Sequence, residues 1–434
     1  MEDRKNEFIV LIIVGIFLAV LFAECWGDVT VQPSEPEKIF TLEDLEKMAL
    51  EKNPTIAQAE ALVNAAAGRK IQAGLYPNPL IGYLGEEVTA KYPGRSKHFL
   101  FAQQSFVTGG KLGLNREIFV QELAEAQIMR DAQTQRVLYA VRSLYYEALG
   151  AQRLVSVRGE LAKITREAVE ISEELYNIGQ ADRPDVIAAE AEAQRAELEL
   201  AAERNREEQV WQMLASVVGS PLPKGTLADN LEGEIVGIDR EEMLSKLLQE
   251  SPRIRVARAR LERARAALLR AKAERIPDVA VRVGLGYNFE ELDRDEDVGI
   301  EGFAELSIAL PIFNRNQGNI AAAEAELVRA EKEADRQELS LRSGFALVYS
   351  GYIISLGSVE RFRKEILPKA KNAYELYLDK FRQVAASYPQ VLIAQRTYFQ
   401  AEVEYVRTLI DLRTSIIQLQ SMLLAGGLML PGEM

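Results

Sequence analysis

The chain repeats itself. The stretch EKNPTIAQAEALVNAAAGRKIQAGLYPNP at 51–79 is echoed by QESPRIRVARARLERARAALLRAKAERIPD at 249–278. Each starts with a proline after a polar residue, runs as an alanine-rich helical segment and stops at a second proline, Pro77 or Pro277. A second echo joins YNIGQADRPDVIAAEAE at 176–192 to FRQVAASYPQVLIAQRT at 381–397. Tyr176 matches Phe381, Pro184 matches Pro389 and Val186 matches Val391 without a gap. Such a duplication constrains the fold before any single element does, because each copy is one supersecondary unit that needs its neighbour to bury its apolar face.

Within each copy the order is helix, two strands, long helix, turn, helix. The expected division is a signal peptide at 1–27, a linker at 28–40, a first repeat at 41–222 with a β-hairpin at about 79–107, and a Gly/Pro-rich join at 223–238. A second repeat at 239–427 with a hairpin at about 278–310 and a tail at 428–434 complete it. The signal assignment rests on the apolar run Phe8–Ala23, whose sixteen residues fall short of the roughly 20 a spanning helix needs. Cys25 stands beside the expected cleavage site, but Glu24 occupies a position where a lipoprotein signal wants a small residue.

The strand signal is sharpest in DVAVRVGLGYNF at 278–289. Val279, Val281, Val283, Leu285, Tyr287 and Phe289 fall on one face, and Ala280, Arg282, Gly284, Gly286 and Asn288 on the other. That is period-two patterning over the length of a tilted membrane strand. Its partner, about 300–310, sets Leu306, Ile308 and Leu310 opposite Glu305, Ser307 and Ala309, with an acidic loop, FEELDRDEDVG, between the two. Two soluble hairpins capping a helical bundle would share this pattern. The helices are long: from Leu114 to Ile178 only Gly150 and Gly159 interrupt, a reach of roughly 95–100 Å at 1.5 Å per residue. From Val391 a seven-residue recurrence through Tyr398, Tyr405, Leu412 and Leu419 has the spacing of a coiled-coil seam.

Two strand pairs cannot close a barrel alone, whereas several copies of the chain can close one together and leave no open edge. The segments VTGGKLG and FNRNQGN then lead out of strand into helix, with Asn, Gly and Gln expected to offer side-chain partners to the first free amides of the helix. Composition narrows the chemistry. The formal charge of -13 argues against nucleic acid. Cys25 and His98 are alone of their types, so no Cys/His zinc cluster can form. His98, near a strand start, reads as an interfacial residue. No catalytic motif, cofactor site or metal site is evident, since the many carboxylates are interleaved with Arg and Lys as on a solvated helical surface.

Several stretches, in this order and in both halves, resemble the outer-membrane efflux proteins, the TolC-like channels, and are most like the heavy-metal (cobalt–zinc–cadmium) branch. They are NP at 53–54, QAGLYPNP at 72–79, GGK at 109–111, LPIFNRNQGNI at 310–320, YNIG with DV within 176–186, and VLIAQRT at 391–397. The resemblance implies a mostly α fold with a small β part: an internally duplicated chain with a long α-helical coiled-coil barrel. Four β-strands per chain would contribute to a trimeric twelve-stranded transmembrane β-barrel. It implies a place in the Gram-negative outer membrane with the helical part in the periplasm. The implied partners are outer-membrane lipid, two further copies of the chain, a periplasmic adaptor and an inner-membrane pump of the resistance-nodulation-division type.

By the same resemblance, the helix-to-helix turns form the periplasmic entrance and adaptor contact: Tyr176, Gly179, Asp182, Arg183 and Asp185 in the first repeat, Phe381, Arg382, Val384 and Gln390 in the second. Val384 and Gln390 depart from the glycine and aspartate common there, so an acidic entrance ring is expected from Asp182 and Asp185. Gly109, Gly110, Lys111, Pro311, Asn314, Asn316 and Gly318 would mark the junction of barrel and helices. The implied function is an exit channel that passively conducts solutes, heavy-metal cations among them. The competing reading is a periplasmic adaptor or coiled-coil scaffold without a pore.

Overall fold

The computed structural model describes residues 38–88, 95–233, 235, 237–293, 296–383 and 388–429. The expected signal segment with Cys25, most of the N-terminal linker, Val384 and the end of the C-terminal tail lie outside the described residues. A small unit contains residues 38–40 and 223–226, where strand β1 (Lys38–Phe40) pairs with β4 (Gly225–Leu227). Everything below concerns the large unit, 41–222 with 227–429.

Each half opens with two short helices. In the first, α1 (Leu42–Lys52) starts at Thr41, which forms a reciprocal capping box with Asp44. Asn53 then starts α2 (Pro54–Ala73): its Oδ1 accepts from the Thr55 amide at 2.9 Å, and Pro54 fills the first helical position, where a missing N–H costs nothing. The other end of the Asn53 amide donates to the Val217 carbonyl at 2.6 Å, so the NP pair also fastens a distant helix end. The second half repeats the pair as α5 (Arg240–Glu250) and α6 (Pro252–Ala273).

After the strands β2 (Leu80–Glu86) and β3 (Lys97–Phe106), α3 (Lys111–Asn177) runs unbroken for 67 residues, about 100 Å. It turns into α4 (Arg183–Val218), against which it packs, and also packs along α2 and α6. In the second half β5 (Val279–Asp293) and β6 (Glu296–Ile308) lead to α7 (Gln317–Arg361), a π-helical turn at Phe362–Ile366, α8 (Leu367–Arg382) and α9 (Tyr388–Gln420). The π-turn has a local cause. Pro368 has no N–H, and its ring crowds the carbonyl four residues back, so the hydrogen-bond register slips just before it. The long helix of the first half carries no such slip.

The four long strands form one antiparallel sheet in the order β2-β3-β5-β6, so β3 of one repeat pairs directly with β5 of the other. β2 and β6 are left as open edges. The acidic segment expected to loop between 289 and 300 does not. The β5–β6 ladder continues through register shifts after Asn288 and Glu291 to Asp293 opposite Glu296. Backbone pairing needs no apolar side chain to continue, and bulges absorb the extra residues where alternation ends.

Candidate functional site

The register separates two chemically distinct sheet faces. One carries Ile81 and Tyr83; His98, Leu100 and Ala102; Val281, Val283, Leu285 and Tyr287; and Ile300, Ala304, Leu306 and Ile308. Its large apolar side chains are exposed, with Ile81 at 78%, Leu285 at 71% and Ile300 at 84%. From Val279 to Phe289 the band measures about 33 Å along the strand. Tilted as in membrane barrels, it covers about 25 Å, the height of an outer-membrane apolar band. At its far end Tyr83, His98, Tyr287 and Phe289 make an aromatic cluster. The Tyr83 hydroxyl is hydrogen-bonded to His98 Nδ1, and His98 Nε2 to Ser96 Oγ at 2.9 Å. His98 therefore belongs to an aromatic rim of the kind that sits at a membrane interface.

The opposite face carries Lys97, Phe99, Phe101, Gln103, Arg282, Asn288, Glu301, Phe303 and Glu305. Arg282 lies with its guanidinium 3.8 Å from the Phe101 ring centroid and 3.8 Å from Glu305. Apolar outside and mixed polar inside is the division a barrel strand needs.

The junction residues act differently from expectation. Gly110 and Asn316 stand at the N-caps of α3 and α7, but neither offers a side-chain acceptor to a backbone amide of its helix; Asn316 Oδ1 accepts instead from Asn319 Nδ2 at 2.6 Å. Both are in the left-handed region, with φ 69° and 59°, and so reverse the chain rather than cap it. Gly109, at φ 65°, is packed so tightly that a Cβ would meet Ile276 at 2.9 Å. Asn314 Oδ1 accepts from the Asn316 amide at 3.0 Å, an Asx-turn after Pro311, while Asn316 Nδ2 donates to the Ala271 carbonyl at 2.8 Å. Gly318 sits open in the first turn of α7.

Lys111 is the buried charge at this junction. Its side chain is 3% exposed, and Nζ lies 2.9 Å from Asp278 Oδ1, which also accepts from the Thr108 amide at 2.9 Å. Burial alone would push the Asp278 carboxyl up, but the Lys111 ammonium and the Thr108 amide together hold it below the usual carboxylate range. The clamp therefore stabilises the fold at pH values above the ordinary carboxylate range, and its contribution is lost as pH falls through the depressed value. Lys111→Met should cost about 2 kcal/mol, read as a lowered midpoint of thermal unfolding in detergent. The difference from the parent should shrink on acidification; a constant difference across pH would contradict the clamp.

At the far end of the helices the first turn is built on Gly179, at φ 73°, with the Gln180 amide donating to the Leu175 carbonyl at 2.8 Å. Tyr176 is exposed, and the Arg183 guanidinium lies 5.9 Å from its ring. Asp182 is the N-cap residue of α4 and Asp185 lies in its first turn. Neither carboxylate has a side-chain hydrogen bond or ion pair among the described residues, so both remain open to solvent or solute. In the second turn Phe381, the repeat mate of Tyr176, is instead buried with Tyr374, Tyr388, Val391, Ala394 and Ala189 of α4. Gln390 is exposed, whereas Val384 lies outside the described residues and only the backbone of Arg382 is described.

Just above, the two hairpins are joined by charge. Arg396 of α9 grips Glu192 of α4 in a two-point fork, with Nε 3.0 Å from Oε1 and Nη2 on Oε2. Eleven residues on along both helices, Arg407 meets Glu203 at 3.5 Å. Glu192 is 7% exposed. Nearby Tyr388 is pushed up to about 12, by burial first and by the Glu192 charge second. Nothing local in the sequence marks these pairs; Arg396 and Glu192 lie 204 residues apart.

Comparison with known proteins bears directly on these features. The description "Outer membrane efflux protein" matches residues 45–220 and 243–424, both repeats almost entire. The cobalt-zinc-cadmium resistance protein CzcC of Cupriavidus metallidurans is 27% identical over 417 residues, 93% of this chain and 96% of that one. The fold matches the outer membrane protein VceC of Vibrio cholerae (TM-score 0.73, 20% identity, 88% of this chain and 96% of that one). It also matches a membrane protein of Pseudomonas aeruginosa (TM-score 0.76, 16% identity, 92% and 98%). With both repeats matched, the membrane-height band on one sheet face and the two turned helical hairpins below it, the chain belongs to the outer membrane efflux protein family.

Proposed function

We propose that this protein is the exit duct of a tripartite efflux pump. It is an outer-membrane efflux channel and not an enzyme. In the proposed assembly three copies close their sheets into a twelve-stranded barrel, apolar face to lipid and mixed face to the lumen, and the helices continue as a tunnel through the periplasm. Repeats at 41–222 and 239–427, joined by 223–238, would be its pseudo-equivalent walls.

One observation carries the reading: a four-stranded sheet with a membrane-height apolar face and two open edges, an arrangement that lipid forbids unless other strands close it. An uncovered apolar stripe on α7, with Leu339, Leu347 and Ile354 exposed, supports lateral contact with another copy. A scaffold without a pore would leave the sheet's exposed band without a use. The similarity to CzcC favours heavy-metal cations as cargo. Delivery would come from an adaptor at the helical turns and, behind it, a pump of the resistance-nodulation-division type.

Asp182 and Asp185, repeated threefold around the entrance, would gather cations there, as a ring of fixed charge in a narrow mouth does. In planar bilayers the purified protein should form cation-preferring channels blocked by multivalent cations from the helical side. Asp182→Asn with Asp185→Asn should weaken that block severalfold. Unchanged block and selectivity would refute the ring; absence of any channel would refute the duct.

A further inference from the structure

On the mixed face, one row crosses the sheet in register: Gly82, Phe101, Gly284, Phe303. Large and small alternate, and each ring lies over the glycine of the preceding strand. A Cβ on Gly82 would stand 2.4 Å from Phe101 Cζ and 2.7 Å from Cε1; one on Gly284 would stand 2.4 Å from Phe303 Cε1. No side chain larger than hydrogen fits under either ring as it lies. Arg282 then covers Phe101 at 3.8 Å and is itself drawn toward Glu305.

An aromatic side chain on a barrel wall has two options. It can stand into the lumen, or it can lie along the wall if its neighbour has no Cβ. Here the glycines permit the second, and the guanidinium lies on the ring. We infer that Gly82 is a calibre residue: it keeps the bore wide at mid-barrel by giving the Phe101 ring, and Arg282 stacked on it, a seat in the wall. Gly82 is the position to test, because the three atoms nearest its Cβ all belong to the Phe101 ring, whereas at Gly284 the Leu100 carbonyl oxygen stands at 3.1 Å. Alanine at 82 can be accommodated by lifting one ring, and that ring has only the lumen to enter.

The inference rests on the proposed lumen, and its test separates the two. Ser105 lies on the same face, four residues beyond Phe101 toward the helices. A Ser105→Cys chain is exposed, in intact cells, to a small maleimide and to bulky polymer-linked maleimides. The parent, whose sole cysteine is Cys25, gives the background. The small reagent should label the introduced thiol from outside; labelling only after permeabilisation would overturn the lumen itself. Gly82→Ala should slow the bulky reagent severalfold while sparing the small one, and adding Phe101→Ala should restore it. Equal bulky-reagent rates in the Gly82→Ala and parent channels, or no restoration, would overturn the calibre role. Should Gly82→Ala fail to accumulate, Phe101→Ala alone decides: faster bulky labelling is expected, and no change refutes it.

Discussion

Leu285→Arg should abolish accumulation of the protein in the outer membrane. Leu285 is 71% exposed in the middle of the apolar face, with Leu100 directly opposite on β3 and equally uncovered. An arginine at the midplane of a barrel's lipid face costs about 2–4 kcal/mol per copy. Three copies would multiply that toward about 6–12 kcal/mol, comparable to the whole stability of an ordinary domain. The control uses the other face. Ser307 on β6 pairs with Ala280 and shares the side of Arg282 and Glu305, so Ser307→Arg adds a cation to a wall already polar and should be tolerated. The readout is the amount of SDS-resistant, heat-modifiable protein in the outer-membrane fraction. Equal accumulation of the two variants would mean that neither face meets lipid.

Contrasts of this kind are readable from sequence where the cause is local. The alternation from Val279 to Phe289 names its own faces, because side chains in a strand point to opposite sides by geometry alone. Asn53–Pro54 announces a helix start through a cap and a first-turn proline, both set by adjacent residues. The unbroken run of α3 follows from the lack of proline over its length. Legibility fails where cause and effect are far apart in the chain. Gly82 and Phe101 meet only once the β2–β3 register is known, and Lys111 finds Asp278 across 167 residues. Tyr176 and Phe381 match in the repeat yet part in space, because the second hairpin turns its aromatic residue into a core that the first half helps to build. The capping expected of Asn316 fails for a nearer reason: the residue takes a left-handed step just before the helix, and its side chain is spent on the Ala271 carbonyl and the Asn319 side chain rather than on a free backbone amide. Pro368 is the one visible signal for the π-turn, an asymmetry between otherwise duplicated halves.

That asymmetry sets up the second large effect. The first hairpin is a pair of uninterrupted α-helices; the second carries a register slip at Phe362–Ile366 and is held to the first by Arg396 on Glu192 and Arg407 on Glu203. Glu192 is buried and Arg396 half-exposed, so removing the guanidinium leaves a carboxylate with little water to replace its partner. Breaking a fully buried pair costs about 3–5 kcal/mol and an exposed one at most about 1 kcal/mol; with one partner buried and one half-exposed, about 2 kcal/mol lies between these scales. If the clamp is made only when the hairpins are closed together, that shift moves the open-to-closed ratio about thirtyfold. Arg396→Ala should therefore give channels of severalfold higher mean conductance in planar bilayers. The reciprocal exchange Arg396→Glu with Glu192→Arg should return them toward the parent value, since the fork is rebuilt with its charges reversed. A merely destabilised chain would lose channels rather than enlarge them, and the exchange would not rescue it. High conductance that survives the exchange would show that the size of residue 396, not its pairing, holds the two hairpins together.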